Sequence, residues 1–201
     1  GAVAVRNSTH FGIAGYYALM ATEQGMIGFV STNARPSIAP TFGVENMLGT
    51  NPLTFGIPTD EPFPFVLDCA TSITQRGKIE MCERLGEDVP AGWVIDRDGR
   101  SRTDASGILK DLTTDKAALN PLGGPGEDMA GYKGYGYATV AEILSSALQC
   151  GSSMRALTGV KDGKAVPIPV GHFFFAMNVE CFAPLDRFKK NPRAVLFGTD
   201  S

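Results

Sequence analysis

An α/β fold is predicted by three features of the chain. Short segments of apolar alternation, such as Val3 with Val5 and the run Leu53-Thr54-Phe55-Gly56-Ile57, read as strands. Segments of helical apolar spacing lie between them, as in Ile13, Tyr16, Tyr17 and Met20 before Gly25. Several strands also end in polar groups, which is where α/β scaffolds display reacting residues. With 201 residues, 43% of them hydrophobic, the chain can bury a core, so one main domain over 1–201 is expected.

In chain order, the first strand ends at Asn7-Ser8-Thr9-His10, which puts His10 at a strand-to-helix junction. Pattern alone leaves two readings for His10: a proton carrier, or a helix cap or half-buried packing residue. A helix follows over 12–24, with Ser8 or Thr9 as its N-cap and Gly25 as its stop. The strand Met26–Ser31 ends at Thr32-Asn33, which either hydrogen-bond a ligand or open the loop through Pro36 and Pro40. Residues 43–52 are rich in glycine, asparagine and proline and read as a structured loop. The strands 53–57 and 63–67 follow, the second running into Asp68, a helix cap or a functional carboxylate.

The helix predicted over 72–85 closes at Gly86, and its Arg76 and Lys78 read as solvated charges. Residues 93–99 form a hairpin on the Asp98-Gly99 turn, and Thr103-Asp104-Ala105 cap a short helix. Trp93 belongs to the core. Gly123-Gly124-Pro125-Gly126 follows no clear strand and lacks the G-x-G-x-x-G spacing of a dinucleotide fingerprint. Tyr132-Lys133-Gly134-Tyr135-Gly136 opens a strongly buried helix over 138–148. A lysine in a first helical turn opposes the helix dipole, so Lys133 beside Gly134 suits an anionic ligand, or else it snorkels at the helix end. Residues 151–169 read as a mobile loop, 172–177 as a buried strand with a structural His172, 182–188 as the start of a last helix, and the tail to Ser201 carries no signal.

The net charge of −3, from 18 basic and 21 acidic residues without long runs, argues against nucleic acid as a partner. Nothing approaches the roughly 20 apolar residues of a membrane helix, and no signal-peptide pattern opens the chain, so a cytoplasmic protein off the membrane is expected. Cys69, Cys82, Cys150 and Cys181 are scattered without a C-x-x-C pair, and two histidines are too few to complete a metal site with them, so free thiols and no metal are expected. Cys69 has no histidine near it in sequence to activate it as a nucleophile.

The motifs Val5-Arg6-Asn7-Ser8-Thr9-His10-Phe11-Gly12, Gly49-Thr50-Asn51-Pro52, Leu67-Asp68-Cys69-Ala70-Thr71-Ser72, Arg76-Gly77-Lys78 and Tyr132-Lys133-Gly134-Tyr135-Gly136 occur in this order. Together they closely resemble the type 2 malate/L-lactate dehydrogenase family, which also includes ureidoglycolate, diketogulonate and cyclic-imine reductases. The resemblance covers nearly the whole chain. It implies a mixed, largely antiparallel sheet with packed helices, distinct from the Rossmann fold. It also implies hydride transfer between NAD or NADP and a small 2-hydroxy acid/2-oxo acid pair, with malate or L-lactate leading, in a homodimer.

By the same resemblance, His10 is the catalytic proton carrier, and a histidine of ordinary pKa near 6.5 populates both forms around neutrality. Asp68, Cys69, Ala70, Lys133, Gly134, Thr32 and Asn33 are cofactor contacts, Cys69 through its backbone, where a methionine is more usual. Arg6 or Asn7 touches the substrate carboxylate. The chain begins at Gly1 without an initiator methionine and reads as a fragment of a longer one, since the family's substrate-clamping arginine and a further part of its nicotinamide site lie outside it. A cyclic-imine or diketogulonate reductase, or a nucleotide-binding domain without activity, are the alternatives.

Overall fold

A computed structural model describes residues 1–198; the last three residues of the featureless tail lie outside the described residues. The chain runs β1 (Ala2–Ser8), α1 (Ala14–Thr22), β2 (Met26–Thr32), β3 (Leu53–Ile57), β4 (Phe65–Cys69), α2 (Arg76–Leu85), β5 (Val94–Asp96) and β6 (Ser101–Arg102). It continues through α3 (Ala105–Thr113), β7 (Ala117–Leu119), α4 (Gly131–Ser145), β8 (Val160–Lys161), β9 (Lys164–Ala165), β10 (Val170–Asn178) and α5 (Leu185–Phe197). Five strands form one sheet in the order β1-β10-β2-β3-β4, every neighbouring pair antiparallel. A second, three-stranded antiparallel sheet has the order β6-β5-β7. One isolated parallel bridge, Ile38 to Leu119, ties the loop after β2 to β7. The α/β, largely antiparallel architecture is thus the observed one.

Two features of the large sheet position the site. Strand β10, last in sequence, lies between β1 and β2, so His172 stands opposite both Val5 and Thr32. Gly28 and Gly56 face each other across β2 and β3, and a Cβ at either would come within 2.8 Å of the Ala18 carbonyl oxygen. Their missing side chains let α1 lie directly on the sheet, which brings its N-terminus to β4. The main apolar core lies elsewhere, between the small sheet and helices α2 and α3, around Ile79, Val94, Ile108 and Leu119. Trp93 packs on that core, as read from the sequence.

Several boundaries differ from the sequence reading. Helix α1 starts at Ala14 and takes no side-chain cap from its N-cap residue Ile13, so Ser8 and Thr9 do not serve. Helix α2 starts at Arg76, because residues 71–73 are held extended: Thr71 N–H donates to Thr50 O and Ile73 N–H to Asn120 O. Asp104 does precede α3, but its carboxylate pairs with Arg102 at 2.7 Å instead of capping the helix. Strand β7 carries no pattern beyond three apolar residues and was not foreseen. Residues 151–169 hold the β8–β9 hairpin, turned at Asp162 and Gly163 with positive φ. Helix α4 begins at Gly131, before the expected 138, and ends at Ser145; it buries Ala138, Ala141 and Glu142 and leaves Tyr132, Tyr137, Val140 and Ile143 exposed. Helix α5 runs on to Phe197, past the range expected from sequence, with Pro192 inside it.

Candidate active site

The ends of β1, β2 and β4 converge on a cavity of about 960 Å³, lined among others by His10, Phe11, Thr32, Asn33, Asp68 and Ala70. His10 lies on the tight connection between β1 and α1, exposed to the cavity. Gly12 N–H donates to His10 Nδ1 at 3.1 Å, which leaves the proton of the neutral ring on Nε2. Gly12 has φ 88°, a backbone region glycine enters without strain, and no heavy atom lies within 4 Å of its Cβ direction.

The residues flanking His10 are anchored inward. The Phe11 ring lies between two others: it stacks on His172 at 4.2 Å and 5°, and on Tyr17 at 4.8 Å and 13°. Tyr17 OH donates to Phe11 O at 2.8 Å. On the other side of His10, the Thr9 carbonyl accepts from His172 Nε2 at 3.1 Å. His172 Nδ1 is 2.8 Å from Thr32 Oγ1. Burial pushes the His172 pKa below its ordinary value; the Thr9 carbonyl pulls it up, and His10 adds a smaller downward push.

Asp68 caps α1 and also borders the cavity. Its Oδ2 accepts from Gly15 N–H in the first turn of α1 at 2.7 Å, and its Oδ1 from Thr54 Oγ1 at 3.0 Å. A carboxylate from β4 therefore supplies the anion that the N-terminus of α1 attracts, while facing the cavity. Next to it, partial burial and the Asp68 charge push the Cys69 thiol up, which keeps it protonated and disfavours it as a nucleophile.

Thr32 and Asn33 belong to the cavity wall with their polar atoms engaged internally. Asn33 Oδ1 accepts from Gly171 N–H at 2.8 Å, and its Nδ2 donates to Ser152 O at 3.1 Å and Glu142 Oε1 at 3.4 Å. The buried Glu142 also accepts from Asn51 Nδ2 at 2.8 Å and Met154 N–H at 3.0 Å, joining the loops on both sides of the wall. Thr32 and Asn33 are thus rigid wall rather than open loop.

The cavity does not gather every residue singled out from sequence. Arg6 and Asn7 sit where the β1–β10 register shifts, with Asn7 at φ 55°, and are outside the lining. Lys133 is exposed in the first turn of α4, 5.9 Å above the Tyr132 ring, and with Gly134 and Cys69 is also outside the lining. The close approach that Gly134 permits is to the Leu122 backbone of the same chain. Conversely, the cavity includes Arg35, which no motif marked, and Thr50 and Arg76, which belong to motifs of the family without an assigned role in the site. Arg76 looked like a solvated charge, and it does pair with Glu80 at 2.8 Å, yet it also borders the cavity. Two arginines bordering one cavity suit an anionic ligand. Among the described residues, no cluster of three or more His, Cys, Asp or Glu could hold a metal ion, and no helix is long and apolar enough to cross a membrane.

Comparison with known proteins adds the lineage. Malate dehydrogenase from Pyrococcus horikoshii is 46% identical over 190 residues, covering 94% of this chain and 50% of that protein. A reductase of Δ1-pyrroline-2-carboxylate and Δ1-piperideine-2-carboxylate from Pseudomonas aeruginosa is 35% identical over 147 residues, 73% of this chain and 40% of that one. The crystal structure of malate dehydrogenase from Entamoeba histolytica superposes with a TM-score of 0.91 at 46% identity, covering 100% of this chain and 56% of that one. The chain spans about half the length of the curated relatives it matches. Residues 1–197 match the malate/L-lactate dehydrogenase family, and with these relatives the match shows that the chain belongs to it.

Proposed function

We propose that the protein transfers a hydride between a nicotinamide dinucleotide and a small 2-hydroxy acid/2-oxo acid pair, with malate and oxaloacetate the leading pair and L-lactate and pyruvate next. The observation that carries this reading is the placement of His10, a proton-transfer group, on the wall of a cavity that also holds Asp68 and two arginines. The cavity's volume is at the upper end of the roughly 300–1,000 Å³ usual for small-molecule and cofactor sites, which fits a dinucleotide with its acid substrate. Bound NAD or NADP supplies the hydride chemistry.

The chain's own residues hold and protonate. Asp68, Ala70, Thr32 and Asn33 border the cofactor position, and the Cys69 backbone contact rests on the family motif alone. Arg35 and Arg76 are suited to phosphate or carboxylate. The assignments of Lys133 and Gly134 to the dinucleotide, and of Arg6 or Asn7 to the substrate carboxylate, rest on the family motifs alone.

The Gly12 N–H contact on Nδ1 fits the tautomer of His10 that carries its proton on Nε2, where it can meet a substrate oxygen. Delivering a full proton requires the imidazolium, whose Nδ1–H cannot accept from Gly12. Taking a proton from a hydroxyl requires a free lone pair on a ring nitrogen. Proton transfer through Nε2 in either direction therefore releases the Gly12 contact, and the open surroundings of Gly12 permit this.

The exposed apolar faces of α1, with Ile13, Tyr16 and Met20, and of α4 support the homodimer reading. The four cysteines, Cys69, Cys82, Cys150 and Cys181, stand apart from one another, an arrangement compatible with a cytoplasmic setting. A second reading, reduction of a cyclic imine acid, is favoured by the similarity to the Pseudomonas aeruginosa reductase. The deciding experiment follows NADH and NADPH oxidation by the full-length protein with oxaloacetate, pyruvate and a cyclic imine acid. Fastest turnover with oxaloacetate is expected. Fastest turnover with the imine moves the assignment to the second reading, and nucleotide binding without turnover on any of them replaces it by a binding domain.

A further inference from the structure

The geometry points to His172 as a positioning residue for His10, holding both of its chain neighbours so that the loop presents the His10 ring in one orientation. This rests on the reading of His10 as the proton carrier. His172 is 3% exposed and lies in the middle of the large sheet, between β1 and β2. The Thr9 carbonyl can only accept, so the nitrogen 3.1 Å from it, Nε2, carries a proton. With the ring neutral, Nδ1 is a lone pair 2.8 Å from Thr32 Oγ1, whose single proton it shares with the Gly171 and Asn33 carbonyls at 2.9 and 3.0 Å. Burial disfavours the charged ring, and among the neutral forms the Thr9 carbonyl selects this tautomer.

The same ring is stacked against Phe11. Thr9 and Phe11 are the residues immediately before and after His10, so one buried side chain holds the loop at both ends. Between those holds the loop has little of its own to fix it: Thr9, His10 and Gly12 are exposed, and Gly12 is free to turn. An aliphatic residue at this position would fill the space without the cost of burying two ring nitrogens. The imidazole is distinguished by doing two things together: it donates to Thr9 and stacks on Phe11.

The test uses the full-length protein with two substitutions. His172→Phe keeps a ring against Phe11 and removes the donor to Thr9. His172→Gln keeps an amide donor near the Nε2 position. Steady-state kinetics with oxaloacetate and reduced nucleotide are read beside ¹⁵N spectra of the His10 ring. For His172→Phe, kcat is expected to drop on the order of 10²-fold, the cost of an Ångström-scale misplacement of a catalytic group, with the KM for nucleotide changing far less. The two His10 ring nitrogens, distinct while Nδ1 accepts from Gly12, are expected to move together towards averaged values. His172→Gln is expected to recover most of kcat and the distinct nitrogens.

Wild-type kcat with unchanged His10 nitrogens in His172→Phe overturns the proposal. So does a His172→Gln variant as impaired as His172→Phe, since that assigns His172 to packing alone. Should His172→Phe fail to fold, Thr32→Val, which removes the partner of Nδ1, is read in its place and is expected to show the same change in the His10 nitrogens to a smaller degree. A His10→Asn enzyme that keeps full activity removes His10 from the chemistry while leaving the spectroscopic result as the test of the clamp, so the two readings fail separately.

Discussion

The small sheet with α2 and α3 and the site end of the large sheet are both well-ordered interiors, but they are filled differently. Around β5 and β7 the enclosed cluster is mainly aliphatic, with Ile79, Val94 and Ile108 fully buried and Asn46 and Asn120 as buried amides beside β7, and charged groups stay at the rim, where Arg102 bridges Asp104 and Asp111. At the site end the enclosed groups are polar: Asn33, Asn51, Thr54, Glu142 and His172. Nearly every one of these is satisfied by another side chain or a backbone group across a gap between elements. Apolar packing is non-directional and resists unfolding. A hydrogen-bonded interior fixes orientation, because an unmet buried donor or acceptor costs about 1–3 kcal/mol. The first region carries stability, and the second aims the loop that bears His10.

Substitutions that belong to one region should leave the other untouched. The largest expected effect is from Ile108→Ala in the aliphatic core, which should lower unfolding free energy by about 2–5 kcal/mol in urea titration while nucleotide affinity of the folded protein stays at the wild-type value. Asp68→Ala crosses the divide. Removing the carboxylate that caps α1 should cost about 1 kcal/mol in the same titration and also weaken nucleotide binding measured by calorimetry; loss of stability with unchanged affinity would confine Asp68 to its cap.

The smallest expected effect is a pH dependence from His172. Its pKa in the folded protein lies below the ordinary 6.5, so as pH falls past about 6.5 the unfolded chain binds more protons than the folded one. The stability contributed by the neutral, buried ring is complete above that range and declines as pH drops towards the folded-state value. His172→Gln should flatten this part of the profile, whereas a core substitution such as Ile108→Ala should shift the whole curve down without changing its slope.

The same division explains what could be read from the sequence. Strand alternation and glycine stops are local, and they located β3, β4 and the end of α2 at Gly86, whose φ is 69°, whereas α1 ends at Thr22, three residues before the expected stop at Gly25. The polar strand ends drew attention to His10, Thr32, Asn33 and Asp68, and all four do meet at one cavity. What stayed hidden is long-range. The cap of α1 comes from Asp68, 53 residues away from Gly15, where the eye looks to Ser8 or Thr9. Insertion of β10 between β1 and β2 turns a histidine read as merely structural into a neighbour of the His10 loop. Arg35 and Arg76 carry no mark that separates them from solvated charges, because their place is set by the packing of the loop after β2 and the start of α2 around the cavity. Gly134 illustrates the reverse: a glycine suited to close approach was correctly noticed, but its neighbour is the chain's own Leu122.

The central claim is that His10 moves the proton while the wall around it holds the ligands. It is tested most directly by the single-turnover rate of reduced nucleotide oxidation with oxaloacetate, compared between the full-length wild type and His10→Asn at saturating nucleotide. The account predicts a rate lower by about 10²- to 10⁴-fold, with nucleotide affinity and unfolding free energy little changed, because His10 is exposed and its one local bond is to Gly12. A His10→Asn enzyme that turns over at the wild-type rate would contradict it and pass the proton-transfer role to a different group.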